Sequence, residues 1–127
     1  MESIGILLYG YDEKQAKTLH KQLEQLMDTE VALISGSGRE NDVVESIISQ
    51  ESQGDFKDGT PKVLIFLGFS DAAINQVLDG FSTFQDITRP IFCGLTESNI
   101  KWPMKQLLNH LIEEQQYWAE QKKNRIN

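Results

Sequence analysis

The sequence predicts a single α/β domain, a four-stranded and mainly parallel sheet in the order 2-1-3-4 with helices on both faces. Three observations lead there. Four short apolar runs, Ile4–Tyr9 and residues 31–34, Val63–Leu67 and residues 91–95, have the length of strands. A stretch with apolar residues spaced by three and four follows each run, which makes the pattern β-α-β-α-β-α-β-α and calls for crossover connections. The chain has 127 residues, 39% of them hydrophobic and 24% charged, which suits one core and one domain over residues 1–127.

The first run is almost continuously apolar and closes on Gly10, as expected of a strand covered on both faces. From Asp12, a plausible N-cap, Ala16, Leu19, Leu23, Leu26 and Met27 form one side of a helix, and Lys14, Lys17, Lys21 and Glu24 form the other. The second strand ends in Ser35-Gly36-Ser37-Gly38, and Asp42 with Glu45 three residues later reads as a capping box for a helix carrying Val44, Ile47 and Ile48. Residues 51–61 hold two glycines and a proline among polar residues and read as a mobile connection. Residues 63–67 make the most central strand, and Ser70 caps a helix with Ile74, Val77, Leu78 and Phe81 inside. Arg89-Pro90 opens the last strand, where proline costs no ladder bond. Pro103 then starts a long C-terminal helix from about residue 103, whose expected inner side is Met104, Leu107, Leu108, Leu111, Ile112 and Trp118.

With 12 Lys and Arg against 19 Asp and Glu, the formal charge of -7 disfavours nucleic acid and anionic membrane as partners, since both are met with clustered basic residues. No apolar run reaches the roughly 20 residues of a membrane span, and the N-terminus lacks the order of a signal peptide, so a cytoplasmic location is expected. The single Cys93 forms no internal disulfide and sits mid-strand, where a thiol acts as a small hydrophobe.

In a parallel sheet of this order, ligands bind beyond the carboxyl ends of the strands where the winding reverses, here between strands one and three. Four segments are expected to converge on that edge and to supply a crevice from Tyr11, Asp12, Arg39, Phe69, Ser70, Asp71, Thr96, Asn99 and Trp102. Helix N-termini there offer free N–H groups to a small anionic ligand. The plainer account is that Asp12, Ser70 and Asp71 only cap and start helices, that Asn99 braces its turn, and that Trp102 is a lid over the sheet. The Gly36/Gly38 pair resembles a phosphate loop, but the Walker lysine and the third Rossmann glycine are missing, and a tight turn accounts for it. His20 and His110 have no ligand-spaced partner and read as surface histidines. No catalytic set, metal site or cofactor signature stands in the chain.

Gly68-Phe69-Ser70-Asp71, followed by Leu95-Thr96, Asn99 and Trp102 and a helix rich in Leu and Glu, resembles an uncharacterised bacterial domain-of-unknown-function family over residues 63 to about 114. Cys93-Gly94 and Pro103 depart from that family's pattern. The resemblance implies a small α/β domain and a special role for the turn from Thr96 to Trp102. It implies no reaction. The expectation is a non-enzymatic binding or regulatory module, with a protein partner or a second copy docking on the Trp118 end of the last helix. The alternative is an enzyme, or a degenerate one, acting on a small anionic substrate at the strand ends. A receiver-like signalling domain is disfavoured, because Gly68-Phe69 stands where a phospho-accepting aspartate would be needed.

Overall fold

In the computed structural model, residues 4–50, 55–84 and 86–125 are described, with residue 50 and residues 122–125 as backbone only. Four strands, β1 (Ile4–Tyr9), β2 (Val31–Ser35), β3 (Val63–Leu67) and β4 (Ile91–Gly94), form one sheet in the order β2-β1-β3-β4. The helices are α1 (Glu13–Met27), α2 (Val44–Gln50), α3 (Asp71–Gly80) and α4 (Met104–Arg125). Short 3-10 turns span Phe81–Thr83 and Asn99–Lys101.

Alternation along the strands sorts the core into two layers. Ile6, Leu8, Leu64 and Phe66 face Ala16, Leu19 and Leu23 of α1, Val77 of α3, and Phe81. Leu7, Ile34, Val63, Ile65 and Cys93 face Val44 and Ile47 of α2 and Met104, Leu107, Leu108 and Leu111 of α4. Helices therefore cover both faces, which is why β1 and β3 are apolar at nearly every position. Each fully buried Leu or Ile contributes about 1.5–3 kcal/mol from removal of its apolar surface from water, so these two layers hold the fold together.

Local chemistry sets the helix starts. Asp12 accepts from the Gln15 N–H at 2.8 Å while Gln15 Oε1 accepts from the Asp12 N–H at 3.2 Å, a reciprocal cap for α1. The helix ends where Asp28 turns left-handed, with φ at 54°. The expected Asp42/Glu45 capping box of α2 does not form. Asp42 instead pairs with the Arg39 guanidinium, and Glu45 with Lys101 at 2.7 Å. What positions α2 is tertiary. Val44 N–H donates to Trp102 O at 2.9 Å, Met104 N–H to Asp42 O at 2.8 Å and Lys105 N–H to Glu40 O at 2.8 Å, so residues 40–44 are laced to the start of α4.

The sheet departs from a doubly wound one at its centre. β1 pairs with β2 in parallel and β3 with β4 in parallel, but β1 and β3 are antiparallel, with Gly5 opposite Leu67 and Tyr9 opposite Val63. The connection before β3 is bound to the end of β1. Gly59 N–H donates to Gly10 O at 3.0 Å, and the Lys62 ammonium donates to the same oxygen at 2.6 Å. The chain thus enters β3 beside the end of β1 and must run back along it. Of the connection expected over residues 51–61, residues 51–54 lie outside the described residues, and residues 55–61 follow this path past Gly10.

Candidate functional site

The antiparallel centre corrects the expected convergence of four segments on one edge. The carboxyl ends of β1 and β2 lie at one end of the sheet, and those of β3 and β4 at the other. Tyr11, Asp12 and Arg39 therefore belong to one end, and Phe69, Ser70, Asp71 and Thr96 to the opposite one.

At the first end Tyr11 is fully buried in the α1 layer. Its hydroxyl donates to Thr88 O at 2.6 Å, Lys62 Nζ stands 5.3 Å from its ring centre, and burial pushes its pKa up. Asp12 is engaged in its cap. Arg39, with a largely covered side chain, is held by Asp42. Sequence reasoning missed the pair beside it. Tyr9 hydroxyl donates to Glu40 Oε1 at 2.9 Å, and Gly38 N–H donates to the same oxygen at 3.2 Å. Burial alone would raise the Glu40 pKa, but hydrogen bonds from its own N–H, from Tyr9 and from Gly38 lower it on balance. Burial and then the Glu40 carboxylate raise that of Tyr9. Glu40 lies on the wall of a cavity of about 290 Å³ with Tyr9, Lys57 and Asp58.

At the opposite end Phe69 packs against Phe66 with ring centres 4.9 Å apart. Ser70 caps α3 by accepting from the Ala73 N–H at 3.1 Å, and Asp71 opens the same helix as its first-turn acid. Thr96 and Asn99 bind each other. The Thr96 N–H donates to Asn99 Oδ1 at 2.7 Å, the Asn99 N–H donates to Thr96 Oγ1 at 3.0 Å, and Asn99 Nδ2 reaches Gly94 O at 3.1 Å. This is capping-box geometry applied to a single turn, and it assigns Asn99 the bracing role. The special character of the Thr96–Trp102 stretch is architectural. It turns the chain off β4 and delivers Trp102 to residues 40–44.

Trp102 is half-buried against the α4 layer, edge-on to His110 at 5.2 Å between ring centres. With Glu40, Asn41, Lys105, Gln106 and Glu113 it lines an open cleft of about 580 Å³. A second groove, of about 390 Å³, runs between the outer edge of β4 and α4. All four β4 residues line it, opposite Leu107, Leu111, Glu114 and Trp118. Cys93 faces this groove. Burial, and secondarily the charge of Glu114, push its thiol up to about 11, so at neutral pH it is a protonated, apolar-like group.

Trp118 does not continue the buried stripe of α4. The buried face ends at Leu111, and Tyr117 and Trp118 are 55% and 59% exposed with ring centres 5.6 Å apart. At 22 residues α4 is about 33 Å long, roughly twice the length of a five-residue strand, so its outer half outruns the sheet. The sequence signal for this was the dense run Glu113-Glu114-Gln115-Gln116 before Tyr117, polar all round the helix.

The groove, Trp118 and the Thr96/Asn99 brace share one more property. Residues 62–118 match the model of a family described as a domain of unknown function, DUF3783. The matched segment takes in β3, α3, β4, the brace and α4 as far as Trp118, so the whole lining of the β4/α4 groove comes from within the DUF3783 segment. No curated protein and no solved structure matched the chain. Among the described residues there is no cluster of His, Cys, Asp and Glu able to hold a metal ion, and no helix long and apolar enough to cross a membrane.

Proposed function

We propose that this chain is a small, cytoplasmic, non-enzymatic binding or regulatory module that engages another protein through the outer half of α4 and the neighbouring edge of β4. One observation carries the reading: two large aromatic side chains, Tyr117 and Trp118, stand side by side and exposed on a helix whose buried face has already ended. Isolated exposed apolar residues are ordinary, but adjacent Tyr and Trp beside a groove of mixed polar and apolar lining have the composition of an interface centre. The polar groups once expected to act on a small anion support the same reading from the other side. Asp12, Ser70, Thr96 and Asn99 each have a side-chain oxygen engaged by a backbone N–H that it caps.

The test compares wild-type protein with the Tyr117→Ala/Trp118→Ala double variant as bait in cell lysate, with light scattering to measure self-association. The expected result is one or more proteins, or a second copy of the chain, held by the wild type and released by the variant. Unchanged far-UV circular dichroism shows that the variant is folded. Identical capture and identical mass for the two forms would refute the reading.

A further inference from the structure

The two edges of the sheet are finished differently. At β2, α1 supplies side-chain partners to the edge at its first residue: Glu24 accepts from the Val31 N–H at 3.0 Å, and His20 Nε2 lies within hydrogen-bonding distance of Val31 O. At β4, Ile91 N–H donates inward to Lys62 O at 2.8 Å, and alternation then turns the backbone groups of Phe92 and Gly94 outward. Gly94 O is taken by Asn99 Nδ2 at 3.1 Å, which fixes where the open edge stops. The Phe92 N–H and C=O and the Gly94 N–H face the groove side of the strand. The opposite wall is α4, apolar at Leu107 and Leu111, with Trp118 at one end. An edge strand and a helix facing each other across a groove, here with apolar and polar residues in its lining, form the geometry into which an extended peptide adds as a further strand. Charge narrows the occupant: among the described residues of the lining Glu114 is the only formally charged one, its half-exposed carboxylate lies 3.6 Å from His110 Nε2, and a Lys or Arg would take the place of that histidine as its partner.

We propose that β4 is a docking edge for an extended segment of a partner protein, which joins the sheet as a fifth strand, apolar at alternate positions and carrying Lys or Arg against Glu114. This rests on the protein-binding reading above and specifies the partner's conformation and chemistry. Ladder bonds to Phe92 and Gly94 supply affinity independent of sequence. Selectivity comes from an apolar side chain set against the exposed Trp118 and from a cation at Glu114.

The experiment uses the whole chain and a library of end-capped heptapeptides in which Val, Leu or Ile alternates with Thr and one position is Lys. Binding is followed by NMR on the protein amides. The best binder is then remade with N-methyl groups on alternate residues, which remove ladder bonds and keep every side chain. The expected results are slowed exchange of the Phe92 and Gly94 amide protons on binding and at least about tenfold loss of affinity for the peptide methylated in one of the two alternating sets. Glu114→Gln, an exposed substitution, is expected to weaken the Lys peptide several-fold and to leave a Lys→Thr peptide unaffected. Equal affinity of both methylated peptides, or changes confined to α4, overturns strand addition and leaves the α4-docking reading standing. Absence of any binder overturns it as well. If capture through Tyr117 and Trp118 persists in that case, only the strand-addition inference fails. If capture is also lost, both fail together.

Discussion

Gly10→Ala is the substitution that most directly probes how the sheet acquires its antiparallel centre. Gly10 has φ at +89°, a conformation that costs an L-residue about 1–2 kcal/mol. A Cβ at this position would lie 2.5 Å from Pro61 O and 3.0 Å from both Gly59 O and Lys62 Cα. These are backbone atoms, so no rotamer change relieves the overlap. Relief requires residues 59–62 to move off Gly10, giving up the Gly59 N–H bond to Gly10 O and the Lys62 ammonium bond to the same oxygen. A neutral hydrogen bond contributes about 1 kcal/mol and a charged one about 1.5–3 kcal/mol, and Lys62 keeps Asp58 and Gly59 O as partners. The sum comes to about 3–5 kcal/mol, a large share of the roughly 5–15 kcal/mol that holds a domain folded. Gly38→Ala is the control. Its φ of +78° carries the same conformational cost, but no atom lies within 4 Å of the added Cβ, so about 1–2 kcal/mol is expected. Equilibrium urea unfolding followed by far-UV circular dichroism measures both. A Gly10→Ala loss no larger than that of Gly38→Ala would refute the claim that close packing of residues 59–62 on Gly10 directs β3.

Asn99→Ala removes the brace on Thr96 and leaves Gly94 O without its side-chain donor, so a loss of about 2 kcal/mol is expected in urea unfolding, against about 1 kcal/mol for Thr96→Val. Leu111→Ala empties a buried position and is expected to cost about 2–4 kcal/mol, whereas Trp118→Ala, at an exposed position, is expected to stay within about 0.5 kcal/mol of wild type by the same measurement. Alkylation of native Cys93 by iodoacetamide is expected to stay slow through pH 9 and to rise only toward pH 11, because the folded thiol is raised from 9.0 to about 11. The sign follows from the same shift. Between those values an unfolded chain would have lost the thiol proton that the native protein keeps, so this group's contribution to stability is full below pH 9 and is lost as pH rises toward 11.

Much of the fold was legible because each element carries its own period. Ala16, Leu19 and Leu23 mark the inner face of α1 without reference to anything else, and Ser70 and Asp12 act as the caps their positions suggest. The order of strands was legible too, since two continuously apolar runs belong at the centre and the others at the edges. The α2 cap was not. Asp42 and Glu45 have the right spacing, but each finds a cation, Arg39 and Lys101, and residues 40–44 are bound to the start of α4 across more than fifty residues of chain. Tyr9 and Glu40 met for the same reason, being 31 residues apart in sequence. Trp118 matched the spacing of a buried stripe, yet periodicity tells which face of a helix is apolar and not how far along the helix a partner surface extends.

By itself the sequence determined the elements, their order and the two-faced burial of the sheet, because hydrophobic period and local capping act over a few residues. The direction of β3 was decided only by tertiary structure. A strand's alternation of side chains reads the same in either direction, so the hydrophobic period that places β3 in the sheet does not say which way it runs. Among the described residues, 55–62 lead into β3 without regular structure and pass Gly10, whose missing side chain lets the chain come close enough to bond. The antiparallel pairing of β1 with β3 puts the carboxyl ends of the strands at opposite ends of the sheet. It breaks up the crevice expected from the strand order, and the binding surface proposed above, the β4 edge and the outer half of α4, lies apart from it.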